Sequence, residues 1–113
     1  MKKIEKPWGY ELLFAKTDTY VGKVLFIRAP HRLSLQYHRV KDESFLLWSG
    51  KMRFTYEENG ELKEKIMNPG DAFHIPPGMK HRMAAIEDCV VFEVSTPHLD
   101  DVVRLEDDYG RRD

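Results

Sequence analysis

Turn residues divide this chain into short β-rich runs, and no segment before residue 97 repeats its apolar residues with the period of a helix. Asn59-Gly60 is a dipeptide that favours a two-residue hairpin turn, so we expect Lys51–Tyr56 to pair with Glu61–Met67. A second turn is predicted at Asn68–Asp71, where proline fixes φ and glycine can take positive φ. The other predicted strands are Trp8–Phe14, Tyr20–Arg28, Leu33–His38, Ser44–Ser49, Ala72–Ile75, Lys80–Ile86 and Val90–Thr96. Many short strands at regular spacing predict an all-β sandwich or barrel.

The domain organisation is predicted to be simple. The 113 residues give room for one hydrophobic core, and the sequence contains no internal repeat or low-complexity tract. We therefore expect residues 1–113 to form a single domain. The composition changes after Pro97, where Leu99, Val102, Val103 and Leu105 would line one side of a short helix or turn that lies against the barrel.

Charge and hydropathy exclude two classes of partner. Eighteen basic and nineteen acidic residues leave a formal charge of −1, which does not provide the basic face of a nucleic-acid-binding protein. No run approaches the ~18 apolar residues of a membrane-spanning helix. The first residues are charged and lack the apolar segment of a secretory signal, so we expect a cytoplasmic protein.

The strongest chemical signal is the spacing Gln36-x-His38-x4-Glu43, followed at a distance by His81. Gln36 and His38 are two residues apart on a predicted strand, so their side chains share a face. Glu43 opens the next strand, and an antiparallel return would bring it back beside them. His81 follows the stiff turn Pro76–Gly78 and would add a fourth ligand. Two imidazoles with two oxygen ligands suit one divalent ion, with Zn or Mn expected first and Co, Ni or Fe also acceptable.

Two motifs carry a resemblance to a known superfamily. They read Pro30-x5-Gln36-x-His38-x4-Glu43-x6-Gly50 and Gly70-Asp71-x4-Pro76-x-Gly78-x2-His81. Both resemble the motifs of the cupins, which implies a single jelly-roll β-barrel. The family more often has glycine at the position of Pro30 and histidine at the position of Gln36.

The resemblance extends to the type II mannose-6-phosphate isomerases. It is carried by Lys6–Glu11, Leu33–His38, His74–Arg82 and Arg104–Arg111. It implies a metal-dependent aldose–ketose isomerase that interconverts mannose 6-phosphate and fructose 6-phosphate through a cis-enediol, with Gln36, His38, Glu43 and His81 as metal ligands. The family often fuses this barrel to a guanylyltransferase domain, but no Gly-rich nucleotide loop is present, so that activity is not expected. The family commonly has arginine where this chain has Lys41.

Further residues are assigned to the proton transfer and to the substrate, a sugar phosphate. The candidate bases are Lys41, His31, His74 and Glu11. Arg32 is the leading phosphate ligand, because it lies an even number of residues from Gln36 and would share its face. The other candidate substrate ligands are Arg82, Lys80, Trp8 and Tyr10.

Two other functions remain open at this stage. One is a non-catalytic cupin that binds a sugar or sugar phosphate through the same metal. The other is a metal-dependent dioxygenase, against which Gln36 argues because a neutral amide is a poor ligand for redox iron. Trp48 lies an odd number of residues from Glu43 and should face outward, so we also expect a homodimer.

Overall fold

The structure, a computed structural model, describes residues 1–111. Nine strands and no helix form in this range. The strands are β1 (Lys2–Lys6), β2 (Gly9–Lys16), β3 (Val21–Ile27), β4 (Leu35–Tyr37), β5 (Glu43–Glu58), β6 (Glu61–Met67), β7 (Ala72–Ile75), β8 (His81–Ser95) and β9 (Val103–Glu106). The predicted all-β class is confirmed. Within the described residues there is also no helix that is long and apolar enough to cross a membrane. The last two residues of the predicted domain lie outside the described range.

All strand pairs are antiparallel and belong to one curled sheet. Its path runs β1-β2-β3-β8-β4-β9, while β5 pairs with β6, β7 and β8. The long strands β5 and β8 pair from Glu43↔Ser95 to Tyr56↔His81, with bulges between Leu47 and Met52. This is the curled sheet of a jelly roll, with an inner face that can enclose a site.

Two pairs of predicted strands are each continuous in the structure. Ser44–Ser49 and Lys51–Tyr56 are parts of β5, and Lys80–Ile86 and Val90–Thr96 largely form β8. Gly50 lies at the bulged join in β5 with φ of 93°, and a Cβ there would lie 2.1 Å from the carbonyl oxygen of Asp88. Glycine therefore lets the strand bend across its neighbour without ending.

The predicted hairpin between β5 and β6 is confirmed. Asn59 and Gly60 both have positive φ, at 54° and 78°, as a type I′ turn requires. The flanking residues Glu58 and Glu61 pair with each other.

The segment after Pro97 forms a strand, where the sequence analysis expected a short helix or turn. Val103–Glu106 is β9, which pairs with β4 through Gln36↔Arg104 and Tyr37↔Val103. The β-branched Val102 and Val103 favour this extended conformation. Pairing with β4 brings the C-terminal segment to the open end of the barrel.

The interior is apolar at one end and charged at the other. Phe45, Leu25, Val91 and Met83 are buried in the core. Two residues further along the same strands, on the same inner face, stand Glu43, Lys23, Glu93 and His81. The change from apolar to ionisable side chains on β3, β5 and β8 places the candidate site above the core.

Candidate metal centre

The charged end of the barrel contains a cavity of about 100 Å³. Its lining includes all four predicted metal ligands, Gln36, His38, Glu43 and His81. They come from three places in the chain: β4 and the turn after it, the start of β5 and the start of β8. The pairing of β4 with β8 sets Gln36 directly opposite His81.

Three of these residues form a tight, buried cluster. The candidate ligand atoms of His38, Glu43 and His81 all lie within 4.8 Å of one another. The Nε2 atoms of His38 and His81 lie 2.9 and 3.4 Å from Glu43 Oε1. Burial raises the pKa of Glu43, but the two imidazoles and Lys41 lower it by more, so the pKa is well below its usual range. Glu43 is therefore a carboxylate.

The two imidazoles are oriented by main-chain carbonyls. His38 Nδ1 donates to the carbonyl oxygen of Asp101, and His81 Nδ1 donates to that of Met79 at 2.9 Å. Each Nδ1 is therefore occupied, and Nε2 is the nitrogen that faces Glu43: a protonated Nε2 donates to the carboxylate, whereas a deprotonated Nε2 offers a lone pair to a cation. With both Nε2 atoms deprotonated, two nitrogen lone pairs and one carboxylate converge on one point, which is the donor set that a divalent cation needs. The residues present fit a metal ion.

Gln36 stands beside this cluster. Its Oε1 accepts a hydrogen bond from Ser34 Oγ at 2.6 Å. An amide oxygen has two lone pairs, so one is left for a metal ion. Its assignment as the fourth ligand stays a prediction.

A second set of buried charges adjoins the cluster. Lys41 Nζ lies 3.4 Å from Glu43 Oε2 and 3.7 Å from Glu93 Oε1. Burial lowers the pKa of Lys41, but the carboxylates of Glu93 and Glu43 raise it above its usual value, so Lys41 is a cation. Burial and the nearby charge of Glu43 raise the pKa of Glu93 well above its usual range. The sequence analysis did not single out Glu93, although an acidic residue within the apolar run from Cys89 to Val94 was a usable signal.

Two more predicted residues also line the cavity. Glu11, a candidate base, pairs with Lys23 at 3.2 Å. Trp8, a candidate substrate ligand, is buried against the core with part of its surface in the lining. Four cationic residues in the wall received no site role in the sequence analysis: Lys6, Lys23, Arg104 and Arg111.

Four predicted site residues lie outside the cavity lining. His31 Nδ1 is 3.3 Å from the hydroxyl of Tyr109, and His74 Nε2 is 2.6 Å from Asp42 Oδ1 on the exposed side of β7. Tyr10 stacks on Phe26 with ring centroids 4.4 Å apart. Lys80, whose main-chain N–H donates to Glu57, is also outside the lining.

Arg32 is likewise separated from the cluster. Its guanidinium makes a bidentate pair with Asp108 at 2.7 and 2.9 Å and lines a second cavity. The alternation argument for Arg32 assumed one regular strand from Leu33 to His38, but β4 begins at Leu35 and its pairing with β9 shifts between Leu35 and Gln36. Arg82 lines both cavities, and its guanidinium donates to the carbonyl oxygen of Leu33 and to Glu106.

Asp101 is a functional residue that sequence reasoning missed. Its carboxylate accepts hydrogen bonds from the main-chain N–H groups of Arg39, Val40 and Lys41 at 3.0, 2.7 and 2.8 Å. The bonds from Val40 and its neighbours lower the pKa of Asp101 to about 2. One residue therefore fixes the turn between two ligands and, through its carbonyl oxygen, also orients His38. No local pattern in the sequence connects positions so far apart.

The fold and the cluster define the class of protein, and comparison with known families agrees. The cupin domain model matches residues 24–98, so the chain belongs to the cupin family. Among solved structures it is similar to KdgF from Halomonas (TM-score 0.74, 18% identity, 86% of this chain and 88% of that one). It is also similar to the capsular polysaccharide assembling protein CapF from Staphylococcus aureus (TM-score 0.76, 22% identity, 93% and 32%).

Curated sequences are similar to nearly the whole length of this chain. The chain is 29% identical over 115 residues to the mannose-1-phosphate guanylyltransferase ManC of Salmonella typhimurium, covering 97% of this chain and 23% of that protein. It is 28% identical over 114 residues to the alginate biosynthesis protein AlgA of Pseudomonas aeruginosa, covering 96% and 23%. The chain thus spans about a quarter of the length of these curated relatives. The resemblance found in the sequence motifs is confirmed.

Proposed function

We propose that this protein is a metal-dependent aldose–ketose isomerase that interconverts mannose 6-phosphate and fructose 6-phosphate. The observation that carries the proposal is the buried cluster of His38, Glu43 and His81, which opens on a cavity containing further ionisable groups. The similarity to proteins of mannose 1-phosphate metabolism supports the choice of sugar. The proposal concerns this domain, since the relatives are about four times longer.

The reaction moves a proton between C2 and C1 of the open-chain sugar. A base removes the proton from C2 of the aldose, a cis-enediol forms, and a proton is returned to C1 while the hydroxyl proton shifts from O2 to O1. A divalent ion held by His38, Glu43, His81 and Gln36 would supply a Lewis acid that polarises the sugar carbonyl. The protein must supply the proton carrier and the charges that hold the substrate.

We assign the proton transfer to Glu93. Its carboxyl group lines the cavity, is not one of the proposed ligands, and lies 3.7 Å from Lys41. Lys41 is a cation within the same wall, so its role is to balance the negative charge of the enediolate, and not to act as a base. His31 and His74 lie outside the cavity lining and receive no role in this scheme.

A non-catalytic sugar-phosphate-binding cupin is the second candidate. It is favoured by the pairing of both Glu11 and Glu93 with lysines, which limits their freedom to transfer protons. Such a protein would keep the metal and the cavity but have no turnover.

An isomerase assay separates these functions. The purified chain is tested with mannose 6-phosphate after loading with Zn or Mn, after treatment with a chelator, and after reloading. We expect fructose 6-phosphate to form only in the metal-loaded samples. Metal-dependent binding of the sugar phosphate without turnover with any divalent metal would instead support the binding protein.

A further inference from the structure

The cavity wall has an excess of positive charge. Six cationic side chains line the cavity, compared with three carboxyl groups, those of Glu11, Glu43 and Glu93. The cations are Lys6, Lys23, Lys41, Arg82, Arg104 and Arg111. Lys23 pairs with Glu11, and Lys41 pairs with Glu43 and Glu93, so the carboxyl groups of the wall are all engaged.

Lys6 is one of the cations that these pairs do not engage, whereas Arg82 and Arg111 pair with Glu106 and Asp107. It is half-buried at the end of β1, and within residues 1–111 no carboxylate lies at ion-pairing distance from it. Burial lowers the pKa of Lys6, and the positive charges of Lys23, Arg111 and Arg104 lower it further, against the opposing effect of Glu11. A half-buried ammonium group beside other cations is unfavourable unless an anion joins them.

Arg104 connects this positive region to the metal centre. His81 pairs with Gln36 across β8 and β4, and Gln36 pairs with Arg104 across β4 and β9. Directly paired residues on antiparallel strands share a face, and all three line the cavity. Two strand spacings put Arg104 about 10 Å from His81 along this row. That separation suits a substrate with its carbonyl at the metal and its charged end at β9.

Arg111 is oriented toward the cavity by a buried acid behind it. Its Nε and Nη2 donate to the two carboxylate oxygens of Asp107 at 3.0 and 3.1 Å. A guanidinium has five N–H groups, so this fork leaves donors for a ligand. The pair with Asp107 fixes the guanidinium plane.

We infer that Lys6, Arg104 and Arg111 form an anion subsite that holds the phosphate group of the substrate. The inference rests on the proposed function for the identity of the sugar. It differs from the expectation drawn from sequence, because Arg32 pairs with Asp108 outside this cavity. A phosphate dianion bound here compensates Lys6 and lies at the end of the row that begins at His81.

The test measures phosphate binding separately from turnover. The metal-loaded full chain is titrated with inorganic phosphate by calorimetry, and steady-state kinetics are measured with mannose 6-phosphate. Lys6→Met should raise the Kd for phosphate and the KM for the sugar phosphate by about tenfold to a hundredfold, because a charge-assisted hydrogen bond is lost. Lys6→Arg should restore most of the affinity, and kcat should change little.

Lys2→Met is the matched control. Lys2 lies on β1 an even number of residues from Lys6, but it is exposed and outside the cavity. Its replacement should leave both constants unchanged, so the difference between the two variants isolates the subsite from phosphate that binds the metal itself. Metal content and the thermal midpoint show whether each variant is folded, and Lys6→Gln replaces Lys6→Met if the latter does not fold.

Three outcomes would overturn the inference. They are an absence of phosphate binding by the wild-type protein, an unchanged Kd in Lys6→Met, and a raised Kd in Arg32→Met with none in Lys6→Met. A failure of the proposed function looks different. In that case no isomerase turnover is found, while phosphate binding still depends on Lys6 and the anion subsite stands.

Discussion

The imidazoles of His38 and His81 are held by main-chain carbonyls instead of carboxylates. The carbonyl that orients His81 comes from Met79, two residues earlier, whereas the carbonyl that orients His38 comes from Asp101 on the C-terminal segment. A carbonyl partner fixes the tautomer without adding negative charge. The charge of the candidate centre is therefore set by Glu43, which pairs with Lys41, and Lys41 in turn pairs with Glu93.

The first prediction concerns metal content. We expect close to one metal ion per chain in the wild-type protein, and Gln36→Ala, His38→Ala, Glu43→Ala and His81→Ala should each lower this content. Loss of one of the clustered ligands should have a larger effect than loss of Gln36, whose oxygen is shared with Ser34. Elemental analysis after dialysis gives the occupancy. Full occupancy in the double variant His38→Ala, His81→Ala would rule out this metal centre.

The second prediction concerns Glu93. Glu93→Gln keeps the shape of the side chain but removes its ability to carry a proton, so we expect kcat to fall by about 10²- to 10⁴-fold with metal content unchanged. The measurement is the rate of fructose 6-phosphate formation at saturating substrate. Glu87→Gln is the control, because Glu87 is exposed on the same strand. A normal kcat in Glu93→Gln would mean that another group carries the proton, and Glu11 would be the next candidate.

At the scale of elements, the turn between β4 and β5 depends on the segment before β9. Three consecutive main-chain N–H groups, from residues 39 to 41, donate to Asp101. The turn separates His38 from Glu43, so its conformation sets the distance between these two ligands. Asparagine at position 101 would present an NH₂ group to the same donors and accept through one oxygen only.

The third prediction follows from Asp101. The pKa of Asp101 is lowered to about 2 from an ordinary 3.8. Its carboxylate therefore stabilises the folded state fully at pH values above 3.8. This contribution is lost as the pH falls from about 4 toward about 2. Asp101→Asn should unfold more easily near neutral pH, show a shallower loss of stability over that acid range, and bind metal about tenfold more weakly.

Denaturant unfolding as a function of pH, together with metal titration, tests this expectation. Asp100→Asn is a matched control, since Asp100 is exposed and its carboxylate makes no hydrogen bond or ion pair within residues 1–111. Identical pH profiles for Asp101→Asn and the wild-type protein would show that the carboxylate does not hold the turn.

Sequence patterns predicted the elements that are locally encoded. Asn59-Gly60 fixed one hairpin, and Ala72–Ile75 and Glu61–Met67 have the predicted bounds. The patterns did not predict the strands whose conformation depends on pairing with a neighbouring strand. β1 is a charged edge strand that pairs with β2, and β9 forms by pairing with β4. The cluster of His38, Glu43 and His81 was predictable because these residues flank short turns. Asp101 was not predicted, because its role depends on contacts across the barrel. Glu93 was missed although it interrupts the apolar run from Cys89 to Val94.

At the scale of the molecule, the outer face of the sheet carries several exposed apolar side chains. Trp48, Val94 and Phe14 are 62%, 56% and 51% exposed on neighbouring strands β5, β8 and β2 with β3 between them. The ring of Phe14 lies over Gly22, which pairs with Val94, and the rings of Trp48 and Phe92 meet edge to face at 5.5 Å. Apolar area of this kind on a β-sheet commonly marks an interface.

The last prediction is that this face joins two copies of the chain. A symmetric dimer uses the same patch twice, and a sheet face with aromatic side chains can bury the roughly 800 Å² per partner that stable interfaces need. Light scattering at tens of micromolar protein should give twice the chain mass of 13.3 kDa.

Trp48→Glu should give the single-chain mass, because it places a charge in the centre of the apolar patch. Leu62→Glu should leave the dimer intact, since Leu62 is as exposed as Phe14 but lies on β6, which among the strands of residues 1–111 pairs with β5 alone. A monomeric wild-type protein under these conditions would contradict the assignment. The candidate metal centre would then have to function within one chain, which the cluster of His38, Glu43 and His81 permits.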